Sequence, residues 1–147
     1  MQSYDVQAVS SAPPSVVWSA LLDSASWTSW TPMDELVTAK STSGAAEVGT
    51  LRTFRTGSVV TTERVTGLEP LRRMDYEGVE NPQLRDYQAS IELDQTPAGG
   101  TAIRWHGRYR ARPGMGLLMR WYLRRFMQKM ASGLAAYAQQ QVPDKTP

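Results

Sequence analysis

Hydrophobic positions along this chain follow a period of two through most of residues 4–111 and switch to a helical period beyond Gly114. Tyr4, Val6 and Ala8 alternate with polar residues and predict a first strand over residues 4–10. Ser11-Ala12-Pro13-Pro14-Ser15 breaks it and opens a helix, since proline is tolerated in a helix's first turn. Val16, Val17, Ala20 and Leu21 share one face of that helix. Asp23 or Ser24 then caps a short second helix carrying Trp27 and Trp30, and Thr31-Pro32 ends it.

Residues 33–111 read as a meander of about six strands with turn punctuation. They cover 36–40, 50–56, 59–66, 72–78, 86–95 and 101–111, with a small polar loop at 41–46. Gly57-Ser58 is a two-residue hairpin loop with glycine where a type II′ turn needs it. Further turns fall at Leu68-Glu69-Pro70, Asn81-Pro82 and Pro97-Ala98-Gly99-Gly100. In the last two strands Tyr87, Ala89, Ile91 and Leu93 oppose Gln88, Ser90, Glu92 and Asp94. Ile103, Trp105, Gly107 and Tyr109 likewise oppose Arg104, His106, Arg108 and Arg110. Such alternation means one buried and one wet face.

A long helix is expected over residues 115–140, between Pro113-Gly114 and Pro143. Met115, Met119, Tyr122, Leu123, Phe126, Met127, Met130, Leu134 and Tyr137 fall on one side, and Arg120, Arg124, Arg125, Gln128, Lys129 and Ser132 on the other. The apolar faces of the last two strands are the natural partners of this stripe. Leu117 and Trp121 fall among the basic residues; they are expected to pack against the short helices or a loop, the alternative being an oligomer or membrane-surface patch.

Length and composition predict one domain over residues 1–141 and a flexible polar tail over 142–147. The absence of cysteine removes disulfides, thiolate nucleophiles and cysteine metal sites, and fits a reducing compartment. No signal-peptide pattern and no run long enough for a membrane span occurs, so a cytoplasmic protein is expected. Residues 1–94 hold thirteen acidic and seven basic side chains, whereas residues 95–143 hold eight basic and no acidic ones. That asymmetry gives either a solvated face or attraction to an anionic ligand, partner or membrane surface. Nucleic acid is not expected, because no reading module accompanies the arginines.

The stretch from Ala12-Pro13-Pro14-Ser15-Val16-Val17-Trp18 through Leu22-Asp23 to Trp27-Thr28-Ser29-Trp30 resembles the opening of the START/Bet v 1-like (SRPBCC) superfamily. Glu63-Arg64-Val65, Glu69-Pro70-Leu71-Arg72-Arg73 and Gly100-Thr101-Ala102-Ile103-Arg104-Trp105 resemble the pieces found at those places in its bacterial polyketide cyclase/dehydrase and lipid-transport branch. The resemblance covers essentially the whole chain. It implies an α+β helix-grip fold: about seven curved antiparallel strands around a long C-terminal helix, with two short helices after the first strand. It also implies an apolar cavity, in a family that ranges from lipid and hormone carriers to polyketide cyclases. No catalytic residue and no cofactor are carried over.

Ten residues are candidates to line such a cavity: Trp30, Phe54, Met74, Tyr76, Tyr87, Trp105, Tyr109, Met119, Leu123 and Met127. Methionine adapts to varied apolar guests, and tyrosine carries a hydroxyl on an apolar ring. The alternative is that they pack as core. Glu63 is expected to be exposed and paired across its strand to an arginine; on an inward face it would instead be a base with a raised pKa. His106, the one histidine, is expected on the outer face, which also leaves a zinc site without ligands.

Three functions follow. The first is binding or transport of a small hydrophobic molecule, as a lipid, polyketide or sterol-like compound, by a monomer or homodimer. The second is a polyketide cyclase or dehydratase using Tyr76, Tyr87, Tyr109 or Glu63. The third is an interaction module whose basic face, Arg120, Arg124, Arg125 and Lys129, meets an anionic partner or membrane.

Overall fold

The computed structural model describes residues 1–40 and 45–142. Its elements run β1 (Gln2–Ser10), α1 (Pro14–Leu22), a single 3₁₀ turn (Ser24–Ser26), α2 (Trp27–Trp30), β2 (Glu35–Lys40), β3 (Leu51–Thr56), β4 (Val59–Glu69), β5 (Arg73–Glu80), β6 (Leu84–Gln95), β7 (Thr101–Ala111) and α3 (Gly116–Gln141). The loop expected at 41–46 and the tail expected at 142–147 fall largely outside the described residues.

The seven strands form one antiparallel sheet in the order β1-β7-β6-β5-β4-β3-β2. Each of β2 to β7 pairs with its sequence neighbour, and β1 closes on β7 with Gln2 opposite Tyr109 and Ser10 opposite Thr101. The β3–β4 hairpin turns on Gly57-Ser58; Gly57 has φ +61° and Ser58 does not share the positive φ, as a type II′ turn requires. The turn expected at Leu68-Glu69-Pro70 lies slightly later. β4 continues to Glu69, and Leu71 takes the left-handed conformation at φ +66°. Register irregularities between Val65 and Gly67 and between Arg85 and Gln88 bend the sheet.

α3 is about 39 Å long at 1.5 Å per residue. Its main partner is β1, with β7, α1 and α2 in lesser contact. This corrects the expected pairing of the stripe with the last two strands: β1 lies at the sheet edge beyond β7, and the first strand in the chain takes the helix. Polar bonds fix the contact. The Ser10 hydroxyl donates to the Ala135 carbonyl at 2.8 Å and the Gln128 amide to the Gln7 carbonyl at 2.9 Å. Gly133 lets α3 cross the end of α2, because a Cβ there would stand 1.9 Å from the Trp30 carbonyl oxygen.

The apolar stripe is buried only from Leu123 onward, through Met127, Met130, Ala131, Leu134, Ala135 and Ala138. The first turns expose most of their apolar side chains: Leu117 is 83% and Trp121 61% exposed, and Met115, Leu118 and Tyr122 are exposed too, while Met119 is partly buried against the core. Leu117 and Trp121 therefore do not pack against the short helices or a loop. No helix among the described residues is long and apolar enough to cross a membrane.

Candidate functional site

Because α3 rests on β1 and β7, the strands that curl away from it leave a gap. A cavity of about 120 Å³ lies there, between α3 and the inward faces of β4, β5 and β6. Leu123, Phe126, Met127 and Met130 form its helical wall, and Trp27, Val59 and Leu84 extend the apolar lining. Glu63, Tyr76 and Tyr87 supply polar groups on the sheet side, with Thr56, Thr61, Thr62, Asn81 and Gln83 also in the lining and Tyr122 on the helix.

Of the ten candidate residues, the structure brings Tyr76, Tyr87, Leu123 and Met127 to this cavity. Trp30, Phe54, Met74 and Trp105 are buried in the core and do not line it. Trp105 packs edge-on to Trp27 at 5.6 Å and to Tyr76 at 6.5 Å, so it braces residues that do line it. Tyr109 is buried opposite Gln2, and its hydroxyl has no hydrogen-bond partner among the described residues. Met119 is partly buried on the early part of α3, away from the cavity.

One charged residue departs from its sequence reading, and another has no sequence reading at all. Glu63 is not exposed: its side chain is 14% accessible and turned into the cavity. It does pair across its strand, with Arg52, whose side chain is 0% accessible. Arg52 shares its face of β3 with the inward Phe54 and stacks 4.0 Å over the Trp27 ring. The guanidinium donates to Glu63 Oε1, while its Nε and Nη1 have no hydrogen-bond partner among the described residues. The ring face partly compensates them by cation–π attraction. Burial pushes the Glu63 carboxyl above the usual range, against the opposing pull of Arg52.

Tyr4, Tyr76 and Tyr87 form a hydroxyl chain. Tyr87 meets Tyr4 in a short hydrogen bond and Tyr76 at 3.3 Å, and the Trp105 indole N–H donates to the Tyr76 oxygen at 3.0 Å. Small neighbours make room. A Cβ on Gly107, which pairs with Tyr4, would fall 2.8 Å from the Tyr4 ring, and one on Gly78 would sit 3.2 Å from Tyr87 Cβ. Burial raises all three phenols well above their ordinary value, and Glu63 adds to the shift. They therefore remain protonated donors, and Glu63, paired with Arg52, places an acceptor carboxylate beside them. Tyr4 was missed because nothing in a single strand shows that it reaches across β7 to Tyr87 on β6.

His106 lies on the outer face, its Nε2 2.9 Å from Glu92 Oε2. Among the described residues, no three histidine, aspartate or glutamate side chains come together as a metal site would need.

A sequence model of the family described as polyketide cyclase/dehydrase and lipid transport matches residues 1–139. The chain belongs to that family. No curated protein matches it. Among solved structures, a START superfamily protein from Mycobacterium smegmatis is similar, with a TM-score of 0.78 and 10% identity over 95% of this chain and 99% of that one. A solution structure from Thermobifida fusca gives a TM-score of 0.75 and 19% identity over 95% and 93%. The Aha1 dimer from Colwellia psychrerythraea gives 0.68 and 17% over 92% and 97%. At such identities the likeness is one of fold. This member of the polyketide cyclase/dehydrase and lipid-transport family has the helix-grip architecture, and its cavity lies between sheet and C-terminal helix.

Proposed function

We propose that this protein binds a small hydrophobic molecule in the cavity between α3 and strands β4 to β6. The observation that supports this most is the composition of the lining: Leu123, Phe126, Met127 and Met130 from one helix face a sheet side that sets one carboxylate and two tyrosines among threonine, asparagine and glutamine side chains. Ligand sites combine a mostly apolar wall with a few placed polar groups. At about 120 Å³ the cavity is near the ~150 Å³ apolar cavity that admits benzene. It takes a ring-sized guest as it stands, and a longer one on displacement of the Met127 and Met130 side chains, which are flexible. Native mass spectrometry of the protein purified from its host tests the reading. A retained apolar molecule, displaced by a ring-sized competitor, supports it. Protein that carries no such molecule and binds no apolar probe refutes it.

A second reading is favoured by the exposed start of α3. Leu117, Leu118 and Trp121 stand in water beside Arg120, Arg124 and Arg125, and the Arg125 guanidinium lies 5.6 Å over the Trp121 ring. Apolar side chains ringed by cations suit the surface of an anionic membrane. Tyr122 and Phe126 on the same helix line the cavity, so a docked α3 holds the cavity next to the lipid.

A further inference from the structure

Among the polar side chains at the cavity, the tyrosine chain has one proton to spare and Glu63 has one oxygen without a hydrogen-bond partner among the described residues. Three hydroxyls, those of Tyr4, Tyr76 and Tyr87, share two oxygen–oxygen links, and the Trp105 N–H supplies its own proton to the third link of the chain. Two links consume two hydroxyl protons, so the third has no acceptor within the chain. Three arrangements are open. If Tyr76 donates to Tyr87 and Tyr87 to Tyr4, the spare proton is on Tyr4. If Tyr4 donates to Tyr87 and Tyr87 to Tyr76, it is on Tyr76. If Tyr4 and Tyr76 both donate to Tyr87, it is on Tyr87. Tyr76 and Tyr87 line the cavity, so an acceptor placed there selects one of the last two by hydroxyl rotation alone.

The acceptor lies on the next strand. Glu63 Oε1 is taken by Arg52, and Glu63 Oε2 makes no hydrogen bond among the described residues. Arg52 does not line the cavity; it is closed off beneath Trp27. An entering molecule thus meets the carboxylate of the pair and not the guanidinium. A ligand carboxylate would face Glu63 without a cation of its own, and like charges in a poorly solvated site repel strongly.

We infer that the cavity recognises a neutral, ring-sized molecule through a single planar C–OH group, as in a phenol or an enol, whose oxygen accepts from Tyr76 or Tyr87 and whose proton goes to Glu63. This rests on the cavity reading above and adds the class of ligand. Carboxylate-ended molecules are rejected by the same geometry.

Four one-ring probes separate the terms: p-cresol donates and accepts, 4-methylanisole only accepts, toluene does neither, and p-toluate is anionic. Calorimetric titration of the intact protein at neutral pH is expected to rank p-cresol about tenfold or more above toluene, since a hydrogen bond to a charged group contributes about 1.5–3 kcal/mol. The anisole should fall between them and p-toluate last. Tyr87→Phe and Glu63→Gln, each checked for folding by circular dichroism, should each narrow the ratio of p-cresol to toluene affinity. If toluene binds and p-cresol binds no better, the cavity reading stands and the hydroxyl-recognition inference is overturned. Preferred binding of p-toluate overturns the inference as well. Binding of none of the four overturns both.

Discussion

Arg52 and Glu63 sit opposite one another on β3 and β4, and both turn into the core instead of out to water. An ion pair so placed is costly to desolvate, and its net contribution to stability is small or negative relative to an apolar pair. Its value lies elsewhere: the pair fixes a carboxylate at the wall of an apolar cavity and keeps its counter-charge out of that cavity.

Removing one partner of this pair should therefore be far worse than removing both. Glu63→Ala leaves the Arg52 guanidinium buried without its carboxylate and should cost about 3–5 kcal/mol. Arg52→Met combined with Glu63→Leu should fall within about 1 kcal/mol of the parent or exceed it. Urea unfolding midpoints at constant slope measure both. A single variant that loses under about 1 kcal/mol would mean that Arg52 finds another partner, and the pair would no longer explain the position of Glu63.

The tyrosine chain predicts a loss of stability at alkaline pH. Unfolded tyrosines release their protons near pH ~10, whereas burial keeps Tyr4, Tyr76 and Tyr87 protonated well beyond that in the fold. Above pH ~10 the unfolded chain binds fewer protons, so stability falls as pH rises; below it the contribution is fully present. Each tyrosine adds about 1.4 kcal/mol per pH unit, or roughly 4 for the three together. Urea midpoints across this range check it, and Tyr87→Phe should reduce the slope by about a third. A flat profile would show that the hydroxyls are open to solvent.

Gly133 should reverse the usual sign of a helix substitution. Glycine within a helix normally costs about 0.5–1 kcal/mol relative to alanine. Here the Cβ of Gly133→Ala would run into the backbone of α2 at Trp30, which cannot rotate aside. Overpacking of about 1–3 kcal/mol should outweigh the propensity gain and shift α3 against α2. The thermal midpoint of the variant decides the sign, and a more stable Gly133→Ala protein would show that α3 and α2 have room to separate.

The elements were legible in the sequence because alternation and turn residues are local. The strand at 101–111 has the bounds that the alternation of Ile103, Trp105, Gly107 and Tyr109 implies, and Gly57-Ser58 marks the β3–β4 hairpin. The site was less legible. Tyr76, Tyr87, Leu123 and Met127 share a cavity with Glu63, but only sheet curvature decides that Phe54, Met74 and Trp105 fall behind its wall. Arg52 was missed because an arginine in a strand is normally solvated; its inward direction could have been read from its sharing a face with Phe54. Buried tyrosines on β1, β5 and β6 converge through pairing across β7 and through the gap at Gly107, which no local pattern encodes.

The start of α3 supplies the last prediction. Trp121→Ser and Leu117→Ser should change stability by no more than about 0.5 kcal/mol, because both side chains already stand in water. Their effect should appear only at a surface. Co-sedimentation with phosphatidylserine-containing vesicles should fall in both variants. It should fall further with Arg124→Glu and Arg125→Glu together, since each cation near an anionic leaflet contributes about 1 kcal/mol and reversal turns attraction into repulsion. Raising the salt should weaken the parent's binding, as screening shortens the reach of the field from about 8 Å at physiological ionic strength to about 3 Å at 1 M. The apolar side chains should then hold a residual fraction that Trp121→Ser removes. Binding that ignores both salt and charge reversal would mean that α3 does not meet lipid through its basic side. Binding equal on vesicles of neutral lipid would assign the contact to Leu117, Leu118 and Trp121 alone.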